Sequence, residues 1–167
     1  VISNFFTSHF AGNEATVSFW IKHNGFKQST SVSFVAPGPL TRAFQAHTPW
    51  SDGNVYFDTG GASAAANRIN AGLGATAGVW HHIALVRKND AGNTNKWVYR
   101  DGVEVASGVN DPTIAQTINQ LIIGNGPSTV ESVNGDMDEV AVFDVALTPA
   151  QVADLASSTT TPADYQT

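Results

Sequence analysis

The chain has 167 residues, 42% of them hydrophobic and only 13% charged, which is enough apolar sequence for one ordered domain with a substantial core and argues against a disordered chain. Eight basic residues against a net charge of −6 are too few to line a phosphate backbone, which argues against nucleic acid as a partner; no apolar run comes near the roughly twenty residues of a membrane-spanning helix, so no such span and no membrane insertion are expected. The absence of cysteine removes disulfides, thiolate catalysis and cysteine-based zinc sites together.

In chain order, Val1-Ile2 reads as the middle of a strand, as in a domain cut from a larger protein, and 4–15 as a mixed loop. TVSFWIKH, 16–23, alternates cleanly, with Val17, Phe19 and Ile21 on one face and Ser18, Trp20 and Lys22 on the other, and predicts a strand. Asn24-Gly25 turns the chain. Strands follow over 31–36, stopped by Pro37-Gly38-Pro39, and over 43–47. The loop TPWSDG, 48–53, leads into a strand over 54–59. Residues 60–78 are rich in Gly, Ala and Asn and predict a long loop with a short strand near 68–71.

The stretch from 79 to 88 is apolar on both faces. Trp80, His82, Ala84 and Val86 share one side, and His81, Ile83, Leu85 and Arg87 the other, as in a strand covered on both sides in the middle of a sheet. NDAGNTN, 89–95, predicts a hairpin loop and 96–100 the returning strand. Asp101-Gly102 tolerates positive φ at both centres of a type I′ turn, so 103–106 folds back as a third strand. A loop over 108–117, a strand over 120–123, a loop over 125–134 and a last strand over 136–144 complete the β elements. Thr148-Pro149-Ala150-Gln151 is a capping-box start, and Val152, Leu155 and Ala156 give the short helix one apolar face to dock on a sheet edge or between sheets. Residues 158–167 read as a Ser/Thr/Pro-rich linker or tail behind a domain spanning 1–157. Many short strands and long loops with one helix predict an all-β fold, an antiparallel two-sheet sandwich.

Three stretches together resemble a known family: TVSFWIKH; then GVWHHIALVRK with WVYRDGVEVA; then LIIGN with NGDMDEVAVFDVALTPAQVADL. In this order they are similar to the laminin-G-like group of the concanavalin A-like lectin/glucanase superfamily. The resemblance implies a jelly roll of two curved sheets. It also implies that Asp138, in the position of the family's Gly-x-x-Asp-Glu aspartate, is a ligand of structural Ca2+ that would pin the last strand to an N-terminal loop with the help of loop carbonyls; the alternative is an Asp138 that only accepts backbone hydrogen bonds. It does not imply one function, since the superfamily holds glycan-binding modules, adhesion domains, glucanases and lyases.

Glucanases of the superfamily need carboxylates on one face of a strand, about 5 Å apart for a retaining hydrolase. In GDMDEV, 135–140, alternation puts Asp136 and Asp138 on one face and Glu139 on the other, and Ala141 stands where a third carboxylate is wanted. Lyases of the superfamily use His, Tyr, Arg and Gln on one sheet; here Tyr99 and Arg100 are adjacent and point oppositely, as do His81 and His82, which read as one packed and one surface histidine and cannot share a metal. No catalytic constellation is therefore assigned, and the chain is expected not to be an enzyme.

The binding candidates are Trp50, Asp52 and Asn54 in HTPWSDGN, 47–54. A loop indole can cover the C–H face of a sugar ring while the carboxylate and amide bond its vicinal hydroxyls. The bland alternative is a Trp folded back on the sandwich, with Asp52-Gly53 serving only the turn. Loops 60–78 and 125–134 are the other candidate walls; Trp20, Trp80 and Trp97 read as strand residues of the core. These features together predict a non-catalytic carbohydrate-binding or adhesion module of a larger extracellular or surface protein, with a glycan or polysaccharide as partner. The alternative is a virion-surface domain, such as a phage decoration or tail protein, held by protein–protein contacts with its own assembly; a polysaccharide lyase or glucanase is the third reading.

Overall fold

The computed structural model describes residues 14–36, 41–59, 67–90, 92–110, 118, 120–127, 131–157 and 164. Ten strands form two antiparallel five-stranded sheets. They are β1 (Glu14–His23), β2 (Val32–Ala36), β3 (Thr41–His47), β4 (Asn54–Thr59), β5 (Arg68–Gly72), β6 (His81–Asp90), β7 (Asn93–Arg100), β8 (Val103–Asn110), β9 (Gln120–Ile123) and β10 (Gly135–Phe143), followed by one helix, α1 (Pro149–Ala156). The first sheet runs β10-β1-β6-β7-β8 and the second β5-β4-β3-β2-β9. This is the expected all-β jelly-roll sandwich.

The core lies between the inward rows of the two sheets. Val17, Phe19, Ile21, Ile83, Leu85 and Val98 from the first sheet meet Val32, Phe34, Phe44, Val55, Phe57 and Ile69 from the second. β6 holds the middle of its sheet and is buried without a break from His82 to Arg87, as its two apolar faces predict. Its outward residues Ala84 and Val86, with Tyr99 and Phe143, form a second cluster under Val152 and Leu155 of α1. The helix therefore docks on the outer face of the first sheet, not on an edge or between the sheets. Its capping box is complete: Thr148 accepts from the Gln151 N–H and the Gln151 side chain accepts from the Thr148 N–H.

Two inward-pointing side chains reach across the sandwich, Lys96 buried and Arg100 half-buried. Lys96 points inward from β7, and its ammonium donates to Phe57 O and Asn67 O, both at 2.9 Å, on the opposite sheet. Burial draws its pKa down to about 7. Arg100 Nη1 donates to Leu73 O at 2.7 Å.

Several local expectations needed correction. The β6–β7 pairing runs out to Asp90 and Asn93, so the polar 89–95 segment is mostly strand and the hairpin is tight. β8 continues to Asn110, beyond the predicted 103–106. β6 begins at His81, which leaves Trp80 ahead of the strand and 39% exposed beneath the Lys22 ammonium, 5.1 Å from its ring. It is no core residue, and Trp20 and Trp97 are only half-buried. Asp101 and Gly102 do take φ of 52° and 78°, the predicted turn.

Candidate functional site

The hairpin joining β3 to β4 carries Trp50, Asp52 and Asn54. Trp50 N–H donates to Asn54 O at 2.8 Å and Gly53 N–H to Trp50 O at 3.0 Å. Gly53 has φ 80°, and a Cβ there would meet the Phe26 ring at 3.2 Å, so glycine serves both the turn and a close approach. Asp52 Oδ1 accepts from the Asn54 N–H, and Oδ2 accepts from Asn54 Nδ2, both at 3.0 Å. Oδ2 also accepts from the Tyr56 hydroxyl at 2.6 Å. The Tyr56 bond, then the Asn54 N–H, hold the Asp52 pKa below the ordinary aspartate value, so this exposed carboxylate stays ionised.

Trp50 is half-buried. Its ring meets His47 edge-to-face at 4.4 Å and Tyr56 at 6.4 Å. Arg68, one strand over on β5, lies 4.9 Å above the Tyr56 ring while its Nη2 and Nε bind both oxygens of Asp58, at 2.6 and 2.5 Å. The hairpin and the outward face of β3–β5 thus present Trp50, Asp52, Asn54, Tyr56, Arg68 and Asn70 at or near the surface, Tyr56 and Asn70 being direct cross-strand partners.

Behind this patch the same face is polar yet buried. His47 Nδ1 lies 2.8 Å from Ser29 O, which can only accept, so Nδ1 carries the proton. Nε2 then accepts from Gln45 Nε2 at 3.3 Å, and Gln45 Oε1 accepts from the Ser33 hydroxyl at 3.2 Å. Thr30 Oγ1 sits 3.1 Å from His47 Nδ1 and donates to Glu131 Oε2 at 2.6 Å. Each hydrogen bond fixes the direction of the next, so the ring that supports Trp50 has one orientation.

Of the residues singled out in the sequence, Trp50, Asp52 and Asn54 come together, but Asp52 and Asn54 spend polar atoms on each other and on Tyr56. The sequence reasoning missed Tyr56, His47 and Arg68. Alternation along NVYFDT puts Asn54, Tyr56 and Asp58 on one face, a signal that was present; the reach of Arg68 needed the β4–β5 register.

Asp138 lies elsewhere, on the outer face of the first sheet opposite Trp20, with Oδ1 accepting from the Glu139 N–H at 2.8 Å. Among the described residues no three His, Asp or Glu side chains converge to hold a metal ion. Of the N-terminal loop expected over 4–15 to help hold the ion, residues 4–13 lie outside the described residues and Glu14 and Ala15 begin β1. The expected alternation at Glu139 fails: it takes φ 49° at a bulge where the β1–β10 register shifts between Ser18 and Trp20, and it is exposed beside Asp138 while Val140 turns to the core. His82 is the packed histidine, in edge contact with Trp20 at 5.5 Å, and burial pulls its pKa to about 4. His81 is half-buried, its Nδ1 2.7 Å from Asp101 Oδ2, with Nε2 accepting from Thr76 N–H at 3.0 Å. No described helix is long and apolar enough to cross a membrane.

A family model described as the concanavalin A-like lectin/glucanases superfamily, of the laminin G type, matches residues 3–153. No curated protein sequence matches the chain. Among solved structures, it is similar to domain 4 of an extracellular arabinanase from Geobacillus stearothermophilus, solved with arabinotriose, at 28% identity and TM-score 0.66 over 86% of this chain and 66% of that one. A heptameric SAP-like pentraxin from Limulus polyphemus aligns at 22% identity and TM-score 0.60, over 86% of this chain and 70% of that one. A sialidase from Trypanosoma rangeli aligns at 16% identity and TM-score 0.67, over 90% of this chain and only 23% of the enzyme. The latter two likenesses speak to the fold alone.

Proposed function

Because the chain belongs to the concanavalin A-like lectin/glucanase superfamily, we propose that it is a non-catalytic carbohydrate-binding module of a larger extracellular protein, holding a glycan on the β3–β4 rim. The observation that carries this reading is Trp50, half-buried and braced edge-on by His47 and Tyr56, with an ionised Asp52 beside it. A braced indole loses little freedom when a sugar ring covers it, and a carboxylate already oriented by its neighbours keeps acceptor capacity for a hydroxyl. The arabinanase domain solved with arabinotriose supports a sugar, and an arabino-oligosaccharide in particular, as ligand. Asp136, Asp138 and Glu139 are exposed on a strand of the first sheet, whereas the rim belongs to the second, and Asp136 is paired with Lys22 at 2.8 Å, which supports binding without glycoside hydrolysis.

Calcium at Asp138 is the second part of the proposal, as a structural ion and not as a partner of the sugar. It would take the Asp138 carboxylate, with further oxygens from outside the described residues. Wild-type protein and Trp50→Ala are compared on a glycan array and in polysaccharide pull-down, with calcium and with chelator. The expected result is retention of an arabino-oligosaccharide or related glycan by wild type and loss in Trp50→Ala with the fold intact. No retention of any glycan under either condition refutes the module reading and moves the case to protein–protein contact. A melting temperature unmoved by calcium in both wild type and Asp138→Asn refutes the ion.

A further inference from the structure

A second depression lies on the opposite sheet. Between the outer face of the first sheet and the turn leading into α1 is a groove of about 250 Å3. Trp97 and Tyr99 of β7 line it, Leu147 and Pro149 stand on the helix side, and Lys88 and Glu104 belong to the same lining. The volume falls just under the roughly 300–1,000 Å3 of pockets that hold drug-sized ligands, so it suits one ring and not a chain.

Tyr99 as a residue is only 3% exposed, but its hydroxyl is not fully buried and the residue lines the groove. A packed phenol whose oxygen meets solvent is a fixed donor that a ligand hydroxyl can bond in place of water. Glu104 stands directly opposite Tyr99 across the β7–β8 pair, at a point where the register shifts, and it is exposed. A bulge of this kind re-aims side chains, and here the two residues end up lining the same groove. Burial, then the Glu104 charge, hold the Tyr99 pKa above its ordinary value, so the phenol stays a donor. Lys88 is bound to Glu14 at 2.9 Å, which neutralises that end.

We infer that this groove is a second, independent sugar site, taking a single neutral pyranose or furanose ring whose C–H face lies on Trp97 and whose hydroxyls bond the Tyr99 hydroxyl and the Glu104 carboxylate. Only the ligand class rests on the reading of the β3–β4 rim. The two sites sit on opposite sheets and share no residue, so the module binds through both faces.

The test uses the four tryptophans as separate reporters. Indole N–H resonances of 15N-labelled protein are assigned and titrated with L-arabinose, D-galactose, D-glucose and D-mannose, and with tetramethylammonium as a cationic probe. One ring on an open groove is expected to bind in the millimolar range, with Trp97 shifting in saturable fashion. Tyr99→Phe keeps the packed ring and Glu104→Gln keeps the exposed side chain; each is expected to weaken the Trp97 titration about tenfold and to leave any Trp50 shift unchanged. A Trp50 shift without a Trp97 shift overturns the second site and leaves the rim reading standing. A Trp97 shift without a Trp50 shift does the reverse. Trp97 shifts of equal affinity in both variants, or produced by tetramethylammonium and by no sugar, also overturn the inference.

Discussion

The two sheets of this sandwich close their outer faces in opposite ways. The first sheet turns Ala84, Val86, Tyr99 and Phe143 outward and buries them under Val152 and Leu155 of the helix. The second turns Ser33, Gln45, His47 and Asp58 outward and satisfies them with hydrogen bonds and an ion pair instead. Packing on the first sheet is non-directional and tolerates a groove beside the helix. The network on the second sheet is directional and holds the Trp50 hairpin in one pose. A surface that must present an aromatic ring to a ligand gains more from the second kind of support.

The comparison breaks most visibly on the helix side. Leu155→Ala is expected to cost about 2–4 kcal/mol in urea unfolding, because it removes a nearly buried side chain from the contact between helix and sheet. Glycan retention at the β3–β4 rim should survive at temperatures where the variant is folded. Loss of retention in the folded variant would show the two faces to be coupled.

Acid sharpens the same contrast. Burial keeps His82 neutral in the fold, with a pKa of about 4 against 6.5 for the ordinary group. Between these values the unfolded chain takes up a proton that the folded chain refuses, so His82 makes stability fall as pH falls from about 6.5 to about 4, by up to about 3 kcal/mol. His23 is shifted in the same direction, also by burial first. His82→Gln is expected to flatten this part of the stability–pH curve. An unchanged slope would refute the assignment.

On the second sheet, Gln45→Leu leaves the His47 Nε2 and the Ser33 hydroxyl without their partner, a cost of about 1–3 kcal/mol. Glycan affinity should weaken as well, because the ring behind Trp50 loses its fixed orientation. Stability lost with affinity unchanged would separate the network from the site. The smallest effect on stability, about 1 kcal/mol or less, is expected for Trp50→Ala, since the indole is only half-buried on a hairpin; its effect on binding should be the largest of the series.

The fold was legible where local chemistry is decisive. The two apolar faces of β6, the Asp101-Gly102 turn and the capping box at Thr148 each follow from a few adjacent residues. What was not legible depended on partners far away in sequence. The bulge at Glu139 arises from pairing with β1 and interrupts an alternation that the sequence shows as unbroken. Trp80 reads as part of β6 but lies before its start, where Lys22 covers it. At the candidate site the composition of 47–54 drew attention to Trp50, Asp52 and Asn54, whereas Tyr56 and Arg68 join them only through the β4 strand face and the β4–β5 register. The Tyr99–Glu104 pair was hidden for the same reason, since a register shift sets which residues of β7 and β8 face each other.

The account stands on a sandwich that holds sugar at the Trp50 rim and breaks no bond. Affinity electrophoresis of wild type and Trp50→Ala through gels containing linear arabinan, with reducing ends assayed in the same lanes, tests this most directly. Wild type should be retarded, Trp50→Ala should migrate as in a gel without polysaccharide while remaining folded, and no reducing ends should appear. Equal retardation of the two proteins, or release of reducing ends by wild type, would contradict it.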